Sequence, residues 1–329
     1  MNGNDGAGSD SRGIIGDGKP IADDKAAGDQ VAARSVRRPT RVVFPEDTVV
    51  THLAASSSMA VAVDKNGQLW TWGGGGGGGA GLGVGDRGPQ GGNSSTPLLL
   101  KQGRAQEGGP LGSLPRFVAA TTNTATNFAI DQTSDLWGWG MVGPRLGLGG
   151  PNQWNPQPYP VRLTRCGNAH YAGLDELLKA GRRLTSVQAS LNSIHVLADD
   201  GSLWGWGDAA MGEVGDGHVV NYLQVTPKDG KNLVRCAWDW GGTKSIVQDA
   251  TRIMTRVRSF STSAFSFHVM AVREDGTIYA WGRNANGVLG NHLTPYDRDG
   301  PALQPFAPIG EAYTPNIHDT AFPILVKPF

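Results

Sequence analysis

Two cysteines in 329 residues are too few for a disulfide scaffold, so packing has to hold this fold. They stand in matching context, Leu163-Thr164-Arg165-Cys166 and Leu233-Val234-Arg235-Cys236. Equivalent points on stacked sheets lie about 10 Å apart, beyond the roughly 7 Å that a disulfide spans between Cα atoms. Two free thiols are therefore expected. No stretch approaches the roughly 18 apolar residues of a membrane span. The opening Met1-Asn2-Gly3-Asn4-Asp5-Gly6 has neither the basic nor the apolar part of a secretory signal, so the expected setting is the cytoplasm or a larger particle such as a virion. Charge of neither sign is in excess, with 29 basic and 29 acidic residues, and a nucleic-acid reader's basic footprint is missing. Arg34, Arg37, Arg38 and Arg41 form the densest basic cluster, which reads as a solvated approach to the strand at Val42.

The usual signs of catalysis are missing as well. The seven histidines (52, 170, 195, 218, 268, 292 and 318) are scattered, with no H-x-H or H-E-x-x-H to hold zinc. Asp64, Asp199, Asp200 and Asp275 fall at hairpin turns, where a short carboxylate caps backbone N–H groups without any metal. No serine sits in G-x-S-x-G. The run Gly73 to Gly79 satisfies G-x-G-x-x-G trivially, but no helical pattern follows it, so it is no dinucleotide loop. Gly241-Gly242-Thr243-Lys244-Ser245 lacks the G-K-S order of a phosphate loop. No enzyme, cofactor or metal site is expected.

What the chain does have is glycine and a repeat. Its 49 glycines are about twice the usual share of roughly 7%. Asn66-Gly67-Gln68-Leu69-Trp70-Thr71-Trp72-Gly73 returns as Ser134-Asp135-Leu136-Trp137-Gly138-Trp139-Gly140, as Gly201-Ser202-Leu203-Trp204-Gly205-Trp206-Gly207 and as Gly276-Thr277-Ile278-Tyr279-Ala280-Trp281-Gly282. The final tryptophans are 67, 67 and 75 residues apart. Each copy reads as a β-hairpin. Asn66-Gly67, Asp200-Gly201 and Asp275-Gly276 supply the positive φ of a tight turn. Apolar strands precede the turns at 59–63, 126–130, 193–197 and 268–272. Strand alternation then puts Trp70 and Trp72 on one face, with Leu69 and Thr71 on the other. The residue between the aromatics is always small: Thr71, Gly138, Gly205 or Ala280. A sheet with rings on one face and small residues on the other suits stacking on a copy of itself, as propeller blades stack.

A second motif follows each hairpin: Gly81-Leu82-Gly83-Val84-Gly85-Asp86, Leu146-Gly147-Leu148-Gly149, Val214-Gly215-Asp216-Gly217 and Leu289-Gly290-Asn291. A fifth, Gly13-Ile14-Ile15-Gly16-Asp17-Gly18, has no tryptophan hairpin before it. A proline with apolar residues comes later, at 39–43, 97–100, 160–163 and 323–326. This order resembles the repeat of the RCC1 (regulator of chromosome condensation) family of β-propellers over residues 13 to 326. It departs at the start of the hairpin, where the family carries His and this chain has Met59, Thr126, Ser193 and His268. Its repeats are also longer than the roughly fifty residues usual in the family.

The expected fold is an all-β propeller of four to five blades. A flexible lead (1–12) precedes one domain (13–329), with repeat segments near 13–73, 74–140, 141–207, 208–282 and a partial 283–329. Residues 13–45 read as the second half of a repeat without its first, so the two ends leave one blade incomplete. Gly173 to Arg183 has leucines 174, 177 and 178 at helical spacing, acids early and Gly181 as a stop, which predicts a short inserted helix. Trp70, Trp72, Trp137, Trp139, Trp204, Trp206, Tyr279 and Trp281 are assigned to blade structure. Loop aromatics Trp154, Tyr159, Tyr296 and Tyr313, with Trp238 and Trp240 from an out-of-phase W-D-W-G, are the candidate partner contacts. The resemblance implies a module that binds a partner protein, while the incomplete blade, low charge and Gly/Asn/Pro-rich loops point to the alternative, a structural subunit of a large assembly such as a virion or cell-surface array. Nucleotide exchange coupled to chromatin ranks behind both.

Overall fold

The turns come first. Asp64 Oδ1 accepts the backbone N–H of Asn66 (2.8 Å) and Gln68 (3.0 Å), and Gly67 sits at φ +78°. Asp131 does the same for Thr133 (2.8 Å) and Asp135 (2.9 Å). Asp200 and Asp275 accept from Ser202 (2.9 Å) and Thr277 (3.0 Å). Each carboxylate satisfies N–H groups that the turn would leave unpaired.

The computed structural model describes residues 39–74, 77–85, 92–104, 110–123, 126–140, 156–191, 193–208, 212–217, 222–228, 231–237, 246–264, 266–284, 288–290 and 320–326. Among these residues it is an all-β, four-bladed propeller with a short α-helix of eight residues. Blade 1 is the antiparallel meander β1 (Val50–Ala55), β2 (Met59–Asp64), β3 (Leu69–Gly74) and β4 (Asn93–Leu99). Two short strands, β5 (Gln102–Arg104) and β6 (Pro110–Ser113), extend the outer edge of blade 2. That blade consists of β7 (Phe117–Thr122), β8 (Thr126–Asp131), β9 (Leu136–Gly140) and β10 (Gln157–Arg162). Blade 3 is β11 (Leu184–Ala189), β12 (Ser193–Ala198) and β13 (Leu203–Asp208), closed by β16 (Ile246–Met254). A separate hairpin, β14 (Tyr222–Lys228) and β15 (Lys231–Ala237), lies between β13 and β16 in sequence and holds the Leu233–Cys236 stretch. Blade 4 is β17 (Val257–Ser261), β18 (His268–Arg273), β19 (Ile278–Gly282) and β20 (Thr320–Leu325). The stretch read as a partial repeat thus supplies the fourth strand of the last blade.

The ladders put a large residue opposite a small one at the same place in each hairpin. The pairs are Val61 with Thr71, Phe128 with Gly138, His195 with Gly205 and Met270 with Ala280. Each first strand shifts register once, at Thr51, Val118, Thr185 and Arg258, and all four of these residues are exposed. Such a bulge bends and twists the strand. The hairpin turn of one blade holds the start of the next blade's first strand, with Phe117 N–H donating to Gly67 O (2.8 Å) and Val257 N–H to Gly201 O (2.9 Å).

The predicted helix forms at Ala172–Lys179 (α1), with Leu174, Leu177 and Leu178 buried. Lys179 in the last turn suits the helix dipole. Gly181 at φ +79° follows the C-terminus, as a left-handed stop requires. Helix α1 packs between blades 2 and 3, against Leu163, Ala250 and Trp206.

Candidate interaction surface

Each sheet has an aromatic face, carrying the tryptophans, and an aliphatic face. The aliphatic face of one blade meets the aromatic face of the next. Val61, Val63 and Leu69 pack on Ala120, Trp137 and Trp139. Phe128, Ile130 and Leu136 pack on Val187, Val196 and Trp206, and Leu197 and Leu203 pack on Phe260, Val269 and Trp281. The stacking expected from ring-and-small alternation therefore builds three seams, and these seams are the core.

The second aromatic of each hairpin is the key to a seam. Trp139 Nε1–H donates to Gly81 O (3.0 Å) and Trp281 Nε1–H to Glu213 O (3.1 Å), each the carbonyl just before the L-G or V-G of the preceding repeat. Trp206 instead hydrogen-bonds Tyr171, whose ring stands edge-on at 5.4 Å. Burial pushes the Tyr171 phenol well above its ordinary value. The glycine of the second motif makes room for the indole. A Cβ on Gly83 (φ +70°) would lie 2.8 Å from Trp139 Nε1, and one on Gly215 (φ +88°) 2.5 Å from Trp281 Nε1. That close approach explains why L-G-x-G travels with W-x-W-G.

The first aromatic is held within its own blade. Trp70 Nε1–H donates to Asp64 Oδ2 (3.0 Å) and Trp137 Nε1–H to Asp131 Oδ2 (2.9 Å). Six residues before Trp204 the chain has Ala198, and the indole turns to Ser202 Oγ (2.9 Å). In blade 4 the pair is Arg273 and Tyr279, with the guanidinium carbon 5.8 Å from the ring centroid. The turn aspartates were legible in sequence, but their second role as indole acceptors was not. A spacing of D-x₅-W in two repeats was the available signal.

His195 occupies the place of Val61 and Phe128 on an aliphatic face and is fully buried. Its Nε2–H donates to Val214 O (3.1 Å), and the rings of Trp281 and Phe260 stand at 5.8 and 6.3 Å. Burial lowers its pKa to about 4, so it is neutral at pH 7. Cys166 is a free, half-buried thiol whose pKa burial raises; the side chain of Cys236 falls outside the described residues. At the rim of blade 2, Asp135 receives Arg165 Nε–H (2.7 Å) and the Thr164 hydroxyl (3.0 Å). Arg165 N–H in turn donates to Asp175 of α1 (2.7 Å). The hydrogen bond to Asp135 and then its charge raise the Arg165 pKa against burial. These groups tie a corner of the fold. Among the described residues no group of three His, Cys, Asp or Glu could hold a metal ion, and no helix is long and apolar enough to cross a membrane.

Trp137, Trp139, Trp204, Trp206, Tyr279 and Trp281 thus lie on the faces that meet the preceding blade, while Trp70 and Trp72 lie on the aromatic face of blade 1, at the end of the array. Of the proposed partner contacts, Tyr159 lies on β10, half-buried, with its hydroxyl against Gly85, whose N–H donates to Pro158 O (2.9 Å). Trp154, Trp238, Trp240, Tyr296 and Tyr313 lie outside the described residues. Sequence reading missed the two ends of the blade array. At the first, Val42 and Phe44 cover the aromatic face of blade 1, with Phe44 edge-on to Trp70 and Trp72 at 5.6 Å each. Leu53 there is 60% exposed, although Ala120, Val187 and Phe260 at its place in later blades are buried. At the other end, the aliphatic face of blade 4 is partly open, and Ile278 is 43% exposed.

Meanders stacked ring-face to aliphatic-face around their first strands define a repeat β-propeller. The model of the regulator of chromosome condensation (RCC1) repeat matches residues 266–288. The ultraviolet-B receptor UVR8 of Arabidopsis thaliana is 24% identical, over 47% of this chain and 50% of its own length. Yeast RCC1 (Prp20), solved bound to Kap60, matches at TM-score 0.57 and 20% identity, over 90% of this chain and 52% of its own. Human WBSCR16 matches at 0.59 and 17%, over 97% and 61%. The chain has a repeat β-propeller fold similar to theirs, and it spans between half and two thirds of the length of these relatives.

Proposed function

We propose that this chain is a non-enzymatic propeller that binds a partner protein through its loops and rim. One observation carries the reading: the polar chemistry is spent on seams and turns, while apolar side chains stay exposed at the ends of the blade array. Among the described residues, Asp64, Asp131 and Asp135, the indoles of Trp70, Trp137, Trp139, Trp204 and Trp281, and His195 are hydrogen-bonded within the fold. Yeast RCC1 bound to Kap60 gives a protein-binding precedent on the same fold. The contacts proposed are Trp154, Tyr159, Trp238, Trp240, Tyr296 and Tyr313, since amphipathic aromatics favour interfaces. A photo-crosslinking residue placed at Trp154, and separately at Tyr296, in cells of the source organism should each capture the same protein. Capture of nothing above the level of a blade-edge control would defeat the proposal.

A second reading, a structural subunit of a large assembly such as a virion or a cell-surface array, is favoured by the half-open fourth blade. It calls for higher-order species in light scattering of the pure protein, where a module gives a monomer. Nucleotide exchange on a small GTPase ranks third, because the equal charge leaves no basic surface excess for chromatin. Stimulated release of labelled GDP would raise it.

A further inference from the structure

We propose that the aliphatic face of blade 4 is a docking surface for a tryptophan-bearing blade of the same repeat chemistry, supplied by a partner chain other than this one. The inference rests on the reading of the chain as an interaction propeller and deepens it by naming what covers one surface.

The three internal seams show what such a face takes. Val63, Ile130 and Leu197 are at most 7% exposed because the next blade covers them. Their counterpart in blade 4 is Val272, which is half-buried, like Met270 and Val326 beside it, and Ile278 is exposed. The socket for the incoming indole is also laid out. Gly290 has φ +61°, the left-handed geometry of Gly83 and Gly215, and Leu289 beneath it is fully buried like Leu82 and Val214. Yet Gly290 is exposed, and a Cβ built on it would meet only Val326 (3.1 Å) within 4 Å, where the other two glycines meet a tryptophan. The Val288 carbonyl stands at the sequence position of Gly81 O and Glu213 O, which accept indole N–H groups. Acceptor, positive φ and apolar floor are all present, and among the described residues no indole fills them.

The chemistry fixes the occupant. It must be a sheet whose second aromatic is a tryptophan, so that one N–H reaches the Val288 carbonyl while the rings cover Ile278 and Val272. The first blade of this chain carries such a face, but Val42 and Phe44 cover it, and every further copy bears the same cover. A second copy's first blade is thus capped, and the occupant proposed is a different chain whose aromatic face is bare.

The probe is the full chain with its own aromatic face uncovered, Phe44→Asp, run beside the milder Phe44→Ala in case the charged variant does not fold. Wild type alone should be monomeric by light scattering. The folded uncovered variant should bind immobilised wild type, Ile278→Asp in the wild-type partner should weaken binding at least tenfold, and Trp72→Phe in the probe should weaken it as well. No binding by a folded uncovered variant, or binding indifferent to Ile278→Asp, overturns the proposal. Wild-type self-association that Ile278→Asp abolishes also overturns it, by assigning the face to a second copy. Each of these outcomes leaves the loop-crosslinking test of partner binding untouched.

Discussion

Acidification from pH 7 to pH 5 should cost the fold about 2 kcal/mol through His195 alone. In the folded chain its pKa is lowered to about 4, against an ordinary 6.5. The unfolded chain therefore takes up the proton first, and stability falls as pH drops below 6.5, levelling off below 4. At 1.36 kcal/mol per unit the full effect is about 3 kcal/mol, of which about 2 is reached by pH 5. The cause is visible in the packing. Nε2–H already donates to Val214 O, and Nδ1 is buried with no partner, so a second proton would enter a site walled by Trp281 and Phe260. The control is His195→Phe, patterned on Phe128, which faces Gly138 as His195 faces Gly205. Urea unfolding of both proteins at pH 7, 6 and 5 should show the wild type losing about 2 kcal/mol more than the variant. The histidine's own NMR titration should show no step above pH 5. Parallel losses in the two proteins, or a step near 6.5, would refute the reasoning.

Gly215→Ala puts a Cβ 2.5 Å from Trp281 Nε1 at a positive φ, and should lower stability by about 2 kcal/mol or more in thermal unfolding. Gly112→Ala, with nothing within 4 Å, should change it far less. Asp131→Ala strips the acceptor from the Trp137 indole and from two turn N–H groups, at a cost of about 2–3 kcal/mol in urea unfolding. In a Cys236→Ser background, Cys166 should alkylate more slowly with iodoacetamide near neutral pH than the same thiol in urea, because burial raises its pKa. Equal rates would contradict the half-buried placement.

The hairpins were legible because their signals are local: a turn glycine, strict alternation, and a tryptophan whose size leaves few ways to pack. The four second strands begin where the apolar runs do, at Met59, Thr126, Ser193 and His268. Helix α1 was legible for the same reason, from its leucine spacing and Gly181. The first strand of each blade was not, since exposed bulge residues such as Thr51 and Arg258 break its alternation. Nor was the outer strand of blade 3. It carries no proline signal and lies 37 residues beyond β13, as Asp208 and Ile246 bound it. The candidate surface was the least legible. Whether Ile278 is covered depends on what stacks against it, and the motif around it reads the same as in a covered blade.

The detour between β13 and β16 has a practical meaning. Trp204 still pairs with Arg252 and Gly205 with Thr251 after an excursion that holds a hairpin of its own. The blade therefore accommodates an insertion at this junction, provided the strand that returns keeps its partners. A reporter domain grafted in place of β14 and β15 would be carried by the propeller without touching the contacts that hold one blade to the next.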